Sequence, residues 1–65
     1  MQIRLNGEAR EVTAATLSAL ITELELAGKR IAVELNGEIA PRSQHENISL
    51  KAGDHIEIVH AIGGG

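Results

Sequence analysis

The first residues of the chain alternate between apolar and polar side chains, and this pattern predicts a half-buried β-strand. Met1, Ile3 and Leu5 are apolar, with polar residues between them, as expected when alternate side chains point to one face of a sheet. Asn6-Gly7 follows and favours a type I′ turn, because both central positions of that turn need a positive φ. The segment therefore predicts a β-hairpin.

The register of this hairpin brings a charged residue to the core side. A two-residue turn pairs Met1 with Val12 and Ile3 with Arg10. Arg10 then either extends its apolar stem to the edge of the sheet or marks a β-bulge, and the sequence does not distinguish the two.

The hydrophobic period changes after Thr16 and predicts an amphipathic helix. Four apolar residues follow the spacing i, i+3, i+4 and i+7 of one helix face: Leu17, Leu20, Ile21 and Leu24. Thr16 is suited to cap the first turn, because its hydroxyl can accept a main-chain N–H there. Gly28 is suited to end the helix, because glycine readily adopts the left-handed conformation that often follows the last turn. We therefore predict a helix over about residues 17–27.

The remaining sequence predicts several shorter elements. A third strand over residues 31–35 is followed by a second Asn-Gly turn and a short extended piece before Pro41. Residues 42–47 then predict a turn or single helical turn, and residues 48–50 a brief strand. A turn over residues 51–54 leads to a last strand around Ile56 and Ile58. One helix among strands indicates an α+β domain with a sheet covered on one face.

The order of these elements narrows the topology. Because crossovers between parallel strands are right-handed, the succession fits a β-grasp, the ubiquitin-like arrangement with adjacent, parallel first and last strands. We therefore predict a mixed sheet of four to five strands with one main helix across one face. This domain is expected to span residues 1–62.

The composition narrows the function classes. The chain has 65 residues, which is room for one domain with a small core. It has no cysteine and no aromatic residue, and its net charge is -3. Disulfide and thiolate chemistry are therefore excluded, and the basic surface and stacking platforms typical of nucleic-acid binding are missing. With no long apolar segment, the sequence predicts a cytoplasmic protein that binds neither nucleic acid nor membrane.

Three glycines, Gly63, Gly64 and Gly65, close the sequence directly after the predicted last strand. Glycine lacks a Cβ, so such a run can extend through a channel too narrow for other side chains. A terminal carboxylate can attack the α-phosphorus of ATP to become an acyl-adenylate, and a sulfur donor can then displace AMP to leave a thiocarboxylate. A glycine run alone is typical of a disordered end. Its place after a β-grasp domain favours a presented, flexible tail over residues 63–65.

Two longer motifs give the chain a resemblance to a known family. Residues 1–7 read Met-Gln-Ile-x-Leu-Asn-Gly, and residues 32–42 read Ala-Val-x-Leu-Asn-Gly-Glu-Ile-x-Pro-Arg. Together with the Gly53-Asp54 turn and the terminal Gly-Gly, these motifs resemble the ThiS family, the ubiquitin-like sulfur carriers of thiamine biosynthesis. The third terminal glycine departs from many members, and it should lengthen the tail without changing its chemistry.

The resemblance implies a carrier that is a covalent co-substrate of partner enzymes and is not itself an enzyme. A ThiF-like enzyme would use Mg-ATP to adenylate Gly65, and sulfur would arrive through a cysteine desulfurase route. A ThiG-like thiazole synthase would then take sulfur from the thiocarboxylate for the thiazole ring of thiamine. Nucleotide and magnesium belong to the adenylating partner in this scheme, so the chain is expected to hold no cofactor and no metal.

Val59, Ala61 and Ile62 are candidates for a partner-binding patch beside the tail. If the isoleucines of the last strand face the core, Val59 and Ala61 face away from it. The alternative is ordinary sheet surface, and the sequence leaves both interpretations open. Arg42, which closes the second motif, is a further interface candidate, although the proline before it already has a sufficient structural role.

Two sets of polar residues could have a functional role, but an ordinary surface position explains each of them. They are the histidines His45, His55 and His60 and the acidic residues Glu34, Glu38 and Glu57. The histidines match no common metal-ligand spacing, so we predict that they lie on the surface. The acidic residues could form a docking face for a basic partner, but isolated carboxylates on a sheet are usually only solvated.

Two alternatives to the thiamine carrier remain. The small subunit of molybdopterin synthase resembles this chain in fold and tail but usually has more sequence ahead of the tail. A different class is a passive β-grasp interaction module, in which the sheet or its edge binds a protein and the glycines have no chemical role.

Overall fold

The computed structural model describes residues 1–60. Within that range the elements are, in chain order, β1 (Gln2–Leu5), β2 (Glu8–Glu11), α1 (Leu17–Glu23), β3 (Ile31–Leu35), β4 (Glu38–Ile39), a 3-10 helix (Arg42–Asn47) and β5 (His55–His60). No helix in this part of the chain has the length and apolar character needed to cross a membrane. The predicted succession of two strands, a helix and further strands is confirmed.

β5 lies in the middle of the sheet, although it is the last strand along the chain. The strand order is β2-β1-β5-β3-β4. β5 runs parallel to β1, with Leu5 opposite Ile56, and antiparallel to β3, with Val33 opposite Ile58. The first and last strands are therefore adjacent and parallel, which confirms the predicted β-grasp.

The hydrophobic core lies between one face of the sheet and α1. Its most deeply buried side chains are Ile3, Val12, Leu17, Leu20, Val33 and Ile56. Full burial of such a side chain contributes about 1.5–3 kcal/mol to the free energy of folding. In β5, Ile56 and Ile58 are buried and Glu57 between them is exposed, so the predicted facing of the last strand is confirmed.

α1 begins at the predicted residue. The Oγ1 atom of Thr16 accepts a hydrogen bond from the main-chain N–H of Ala19 at 3.1 Å. A cap of this kind is typically worth about 1 kcal/mol, because it satisfies an N–H that has no partner within the helix. The predicted N-cap is therefore confirmed.

α1 ends earlier than predicted, at Glu23 rather than near residue 27. Glu25 takes the left-handed conformation, with φ of +62°, and the N–H groups of Glu25 and Leu26 donate back to carbonyls of α1 at 2.9 Å. This is a Schellman ending, and Leu26 then packs against the core. Gly28 also has a positive φ, of +82°, but it lies in the following turn and does not end the helix.

The brief strand predicted over residues 48–50 does not form. The N–H of Leu17 donates to the carbonyl of Ile48 at 3.0 Å, and the N–H of Leu50 donates to the carbonyl of Ala15 at 2.9 Å. The segment is therefore joined by an isolated bridge to the chain around the start of α1 and does not add a strand to the sheet.

The β1–β2 hairpin has the predicted register, with Ile3 opposite Arg10. Pairing is continuous along all four residues of β2, so no bulge interrupts it. Every residue of β2 is exposed, because β2 is an edge strand of the sheet. Arg10 therefore reaches solvent at the edge, which resolves the two alternatives left by the sequence.

His45 is only 9% exposed, so the surface position predicted for it is wrong. Its Nε2 atom lies 2.9 Å from the carbonyl oxygen of Ala40, and a protonated Nε2 donates a hydrogen bond there. The 3-10 helix packs against α1 and turns this side chain inward. His55 and His60 are exposed as predicted, and no three potential ligand side chains among residues 1–60 gather into a metal site.

Candidate functional site

The glycine run follows β5 in the sequence, so the candidate site is built from this strand. The predicted site residues beyond the strand lie outside the described residues; they are Ala61, Ile62, Gly63, Gly64 and Gly65. The described part of the candidate site is therefore the strand that precedes them in the sequence and the sheet face beside it.

Main-chain hydrogen bonds hold β5 on both of its edges. On the β1 side, the N–H of Arg4 donates to the carbonyl of Asp54 at 2.9 Å. The N–H of Asn6 donates to the carbonyl of Ile56 at 2.8 Å. On the β3 side, the pairing extends over five residue pairs, as far as His60. The strand before the glycine run thus has a defined position in the centre of the sheet.

Two Asn-Gly turns border β5, and both have the predicted backbone. The φ angles are +51° and +85° at Asn6 and Gly7, and +52° and +87° at Asn36 and Gly37. Both central positions are therefore left-handed, as a type I′ turn requires. The hydrogen bonds made by the two asparagine side chains do not follow from the turn pattern alone.

The Asn36 side chain holds the start of β5. Its Oδ1 atom accepts a hydrogen bond from the N–H of His55 at 2.9 Å. Its Nδ2 atom donates to Oδ1 of Asp54 at 3.1 Å, and the second carboxylate oxygen of Asp54 accepts from the N–H of Lys51 at 2.8 Å. Asp54 is only 6% exposed, so these bonds satisfy a carboxylate that is costly to bury alone.

The Asn6 side chain holds β5 further along, at Ile58. Its Oδ1 atom accepts a hydrogen bond from the N–H of Ile58 at 2.8 Å, and its Nδ2 atom donates to the carbonyl of Ile58 at 3.3 Å. The signal in the sequence for these two holding positions is the repeated tripeptide Leu-Asn-Gly at residues 5–7 and 35–37. A carboxamide supplies both a donor and an acceptor, which neither glycine nor aspartate would do in the turn.

The sheet face away from α1 contains exposed apolar side chains. Val59 is 63% exposed and lies opposite Ala32, while Ile39 is 66% exposed and lies opposite Glu34. Paired residues point to the same face of a sheet. We call this surface the open-face patch; its members are Ala32, Glu34, Ile39, Glu57 and Val59. The prediction that Val59 faces away from the core is confirmed.

Two carboxylates of the open-face patch face each other directly. Glu34 on β3 is paired with Glu57 on β5, and like charges in this position repel each other. Among residues 1–60 the ion pair that forms is elsewhere, between the Met1 amino group and Glu11 at 3.0 Å. The structure therefore brings together two of the three acidic residues considered in the sequence, Glu34 and Glu57.

Arg42 is not part of this patch. It begins the 3-10 helix and lines a groove of about 310 Å³ against α1, together with Lys29 and Ser18. α1 covers the core face of the sheet, whereas Val59 points away from the core. The structure therefore does not combine the two predicted interface residues, Arg42 and Val59, into one surface.

Comparison with known proteins identifies relatives over the whole chain. The model of the ThiS family matches residues 3–65. The sulfur carrier protein ThiS of Bacillus subtilis (strain 168) is 34% identical over 65 residues, which cover 97% of this chain and 98% of that protein. A crystal structure of the thiamine biosynthesis protein (ThiS) from Geobacter metallireducens superposes with a TM-score of 0.85 at 32% identity, with 100% of both chains covered.

Some relatives are much longer than this chain. A thiazole synthase of Paramagnetospirillum magneticum (strain ATCC 700264 / AMB-1) is 42% identical over 66 residues, which cover 100% of this chain and 20% of that protein. A thiazole synthase of Magnetococcus marinus (strain ATCC BAA-1437 / JCM 17883 / MC-1) is 41% identical with the same coverage. The chain thus spans about a fifth of the length of these two relatives.

Proposed function

This chain belongs to the ThiS family, which includes the sulfur carrier of Bacillus subtilis. We therefore propose that it carries sulfur as a thiocarboxylate on Gly65. The sulfur serves the thiazole ring of thiamine. The observation that carries the proposal is the position of β5. This strand is central in the sheet, is held on both edges, and is followed in the sequence by the three glycines.

The proposed chemistry takes place at the carboxylate of a chain that ends at Gly65. A carboxylate oxygen attacks the α-phosphorus of ATP and expels pyrophosphate, which leaves an acyl-adenylate. A hydrosulfide ion then attacks the acyl carbon, expels AMP and loses its proton, so that the carboxylate becomes a thiocarboxylate. A persulfide donor follows the same course, but a thiol must then cleave the sulfur–sulfur bond that it leaves behind.

Gly63 and Gly64 have a positioning role in this proposal. Three extended residues reach ~10 Å beyond the domain, and the lack of a Cβ lets them pass through a narrow channel of a partner. Residues 1–62 then form the folded domain and residues 63–65 the tail. The chain itself is a co-substrate and not an enzyme, because the groups that activate ATP and deliver sulfur belong to its partners.

We propose three partners, one for each step of the sulfur transfer. A ThiF-like enzyme binds Mg-ATP and adenylates Gly65, a cysteine desulfurase route delivers sulfur, and a ThiG-like thiazole synthase consumes the thiocarboxylate. The third partner is supported by the two thiazole synthases that contain a segment more than 40% identical to this chain. A carrier segment within the same polypeptide raises the local concentration of one reactant for the other.

The open-face patch is the proposed docking surface for the adenylating partner. Val59 and Ile39 supply exposed apolar area, and the paired carboxylates of Glu34 and Glu57 are complementary to a basic side chain. Docking at this face relieves the repulsion between the two carboxylates, because a cation placed between them stabilises both. Ala61 and Ile62 follow β5 in the sequence, and we propose that they also contact the adenylating partner.

Intact-mass spectrometry tests the proposed function. The protein is incubated with a ThiF-like enzyme, Mg-ATP and sulfide, and the expected product has the added mass of one oxygen replaced by sulfur. The matched control is a variant that lacks Gly64 and Gly65. We expect it to show no mass change and to keep the melting temperature of the full chain, because the shortened terminus cannot reach the adenylating site.

Two results would contradict the proposal. One is an unchanged mass when the same enzyme preparation converts another carrier protein. The other is an equal mass change in the shortened variant, because sulfur would then be added at a different position. A passive interaction module predicts the first of these results.

A further inference from the structure

The edge of β5 that faces β1 loses its main-chain partners before the strand ends. Successive bonds of this parallel ladder join Arg4 to Asp54 and Asn6 to Ile56, at 2.9 and 2.8 Å. A further step of the ladder would supply a main-chain partner for Ile58. β1 cannot supply it, because the chain turns away at Asn6, where φ is +51°.

The Asn6 side chain takes the place of this missing ladder step. Its Oδ1 atom lies 2.8 Å from the nitrogen of Ile58 and its Nδ2 atom lies 3.3 Å from the oxygen of the same residue. A carboxamide has the donor and the acceptor of a peptide group. It can therefore pair with both main-chain groups of one residue, as a neighbouring strand would.

Ile58 is the last point at which β5 is held from both sides in the described part of the chain. Val59 and His60 are paired with β3, opposite Ala32 and Ile31, and both are exposed. Without the Asn6 side chain, the two-sided part of β5 would end at Ile56. A longer piece of strand, held on one edge only, would then lie before the glycines and would vary more in direction.

We propose that Asn6 is a positioning residue for the reaction at Gly65: its carboxamide fixes Ile58 and thereby the direction in which the chain leaves the sheet. This inference rests on the proposed function, because a direction matters only if the terminus must enter a partner's site. The open-face patch binds the adenylating partner. Asn6 then determines in what fraction of the complexes Gly65 lies in the partner's reactive site.

The chain contains a matched control for this proposal. Asn36 has the same turn geometry as Asn6, with φ of +52°, and its side chain also binds β5, but at the start of the strand. Replacement of either asparagine by glycine keeps a sequence that adopts a type I′ turn. Asn6→Gly and Asn36→Gly therefore remove comparable side-chain hydrogen bonds at different distances from the tail.

The test measures adenylation by a ThiF-like enzyme as pyrophosphate release, with this protein as the varied substrate. Loss of two hydrogen bonds at Ile58 is expected to lower kcat about 10-fold for Asn6→Gly. The KM should stay within about twofold, because the docking surface is unchanged. For Asn36→Gly we expect an unchanged kcat, although its melting temperature should fall at least as much, since its side chain also binds the buried Asp54.

Asn6→Asp gives a further, conservative comparison. It keeps the acceptor for the N–H of Ile58 but loses the donor to the carbonyl, so its kcat should lie between those of the wild type and Asn6→Gly. Amide hydrogen exchange at Val59 and His60 should rise in the same order, and exchange should stay at the wild-type rate there in Asn36→Gly.

The outcomes separate this inference from the function on which it rests. Equal kcat values for Asn6→Gly and Asn36→Gly, with the wild type active, would overturn the positioning role and leave the carrier function intact. An effect on KM alone would assign Asn6 to docking and would also overturn it. A wild type that no active adenylating enzyme accepts would overturn both proposals.

Discussion

β5 starts beside one Asn-Gly turn and runs past the other, and the two contacts have different surroundings. At the start, Asn36 binds His55 and also the buried carboxylate of Asp54. Further along, the Asn6 side chain binds Ile58 alone, and the next residues, Val59 and His60, are exposed. The same residue type thus binds a network around a buried carboxylate at the start of the strand, and the last buried residue before the exposed strand end further along.

We therefore expect the start of β5 to contribute mainly to the stability of the fold, and its far end to the presentation of the C-terminal glycines to a partner. The start of β5 is linked to buried groups, so changes there should lower the free energy of unfolding. The far end has its last buried side chain at Ile58, and changes beyond that point should leave the fold intact while they weaken the reaction with the proposed partner enzymes.

Asp54→Ala is expected to destabilise the protein by about 2 kcal/mol, because two hydrogen bonds to a buried carboxylate are lost. Urea denaturation measures this change, and Asp54→Asn, which keeps one acceptor oxygen, should recover part of it. The adenylation rate per folded molecule should equal that of the wild type. A normal stability together with a slow reaction would reverse the roles assigned to the two ends.

Val59→Asp is expected to weaken binding of the proposed adenylating partner about 10-fold, because it replaces exposed apolar area of the open-face patch with a carboxylate that loses its water in the contact. The melting temperature should change little, since Val59 is 63% exposed. His55→Asp is the matched control: it introduces the same charge on the same face at the other end of β5. Titration calorimetry on both variants measures the difference, and equal affinities would remove the patch from the docking surface.

Glu34→Gln is expected to stabilise the free protein by about 0.5 kcal/mol, because it removes the repulsion from the cross-strand Glu57. The same change should slow association with a basic partner at low salt, and added salt should reduce this effect. The control is Glu38→Gln, since Glu38 pairs with Leu35 rather than with an acidic residue. If both variants had the same stability, the pair would make no measurable contribution.

Local patterns in the sequence predict much of the fold. Alternation and the two Asn-Gly turns give the hairpin register, including Ile3 opposite Arg10, because these features depend on neighbouring residues. The end of α1 could not be predicted in this way. There Glu25, which is not a glycine, takes a positive φ while Leu26 packs against a core assembled from distant segments.

Contacts between distant segments limit the prediction of the candidate site even more than that of the fold. The glycine run and the exposed side of Val59 follow from sequence and strand period. The bonds between Asn6 and Ile58 join residues 52 positions apart, and the Glu34–Glu57 pair depends on the placement of β5 beside β3. The surface position predicted for His45 is wrong for a related reason, because its burial depends on how the 3-10 helix packs against α1.

The position of the added sulfur within the protein tests the proposed carrier function. The product of the reaction with a ThiF-like enzyme, Mg-ATP and sulfide is fragmented in a tandem mass spectrometer. We predict that the mass change appears only in fragments that contain Gly65, and that every fragment ending before it keeps its original mass. A mass change in fragments that lack Gly65, or its absence from those that contain it, would contradict a thiocarboxylate at Gly65.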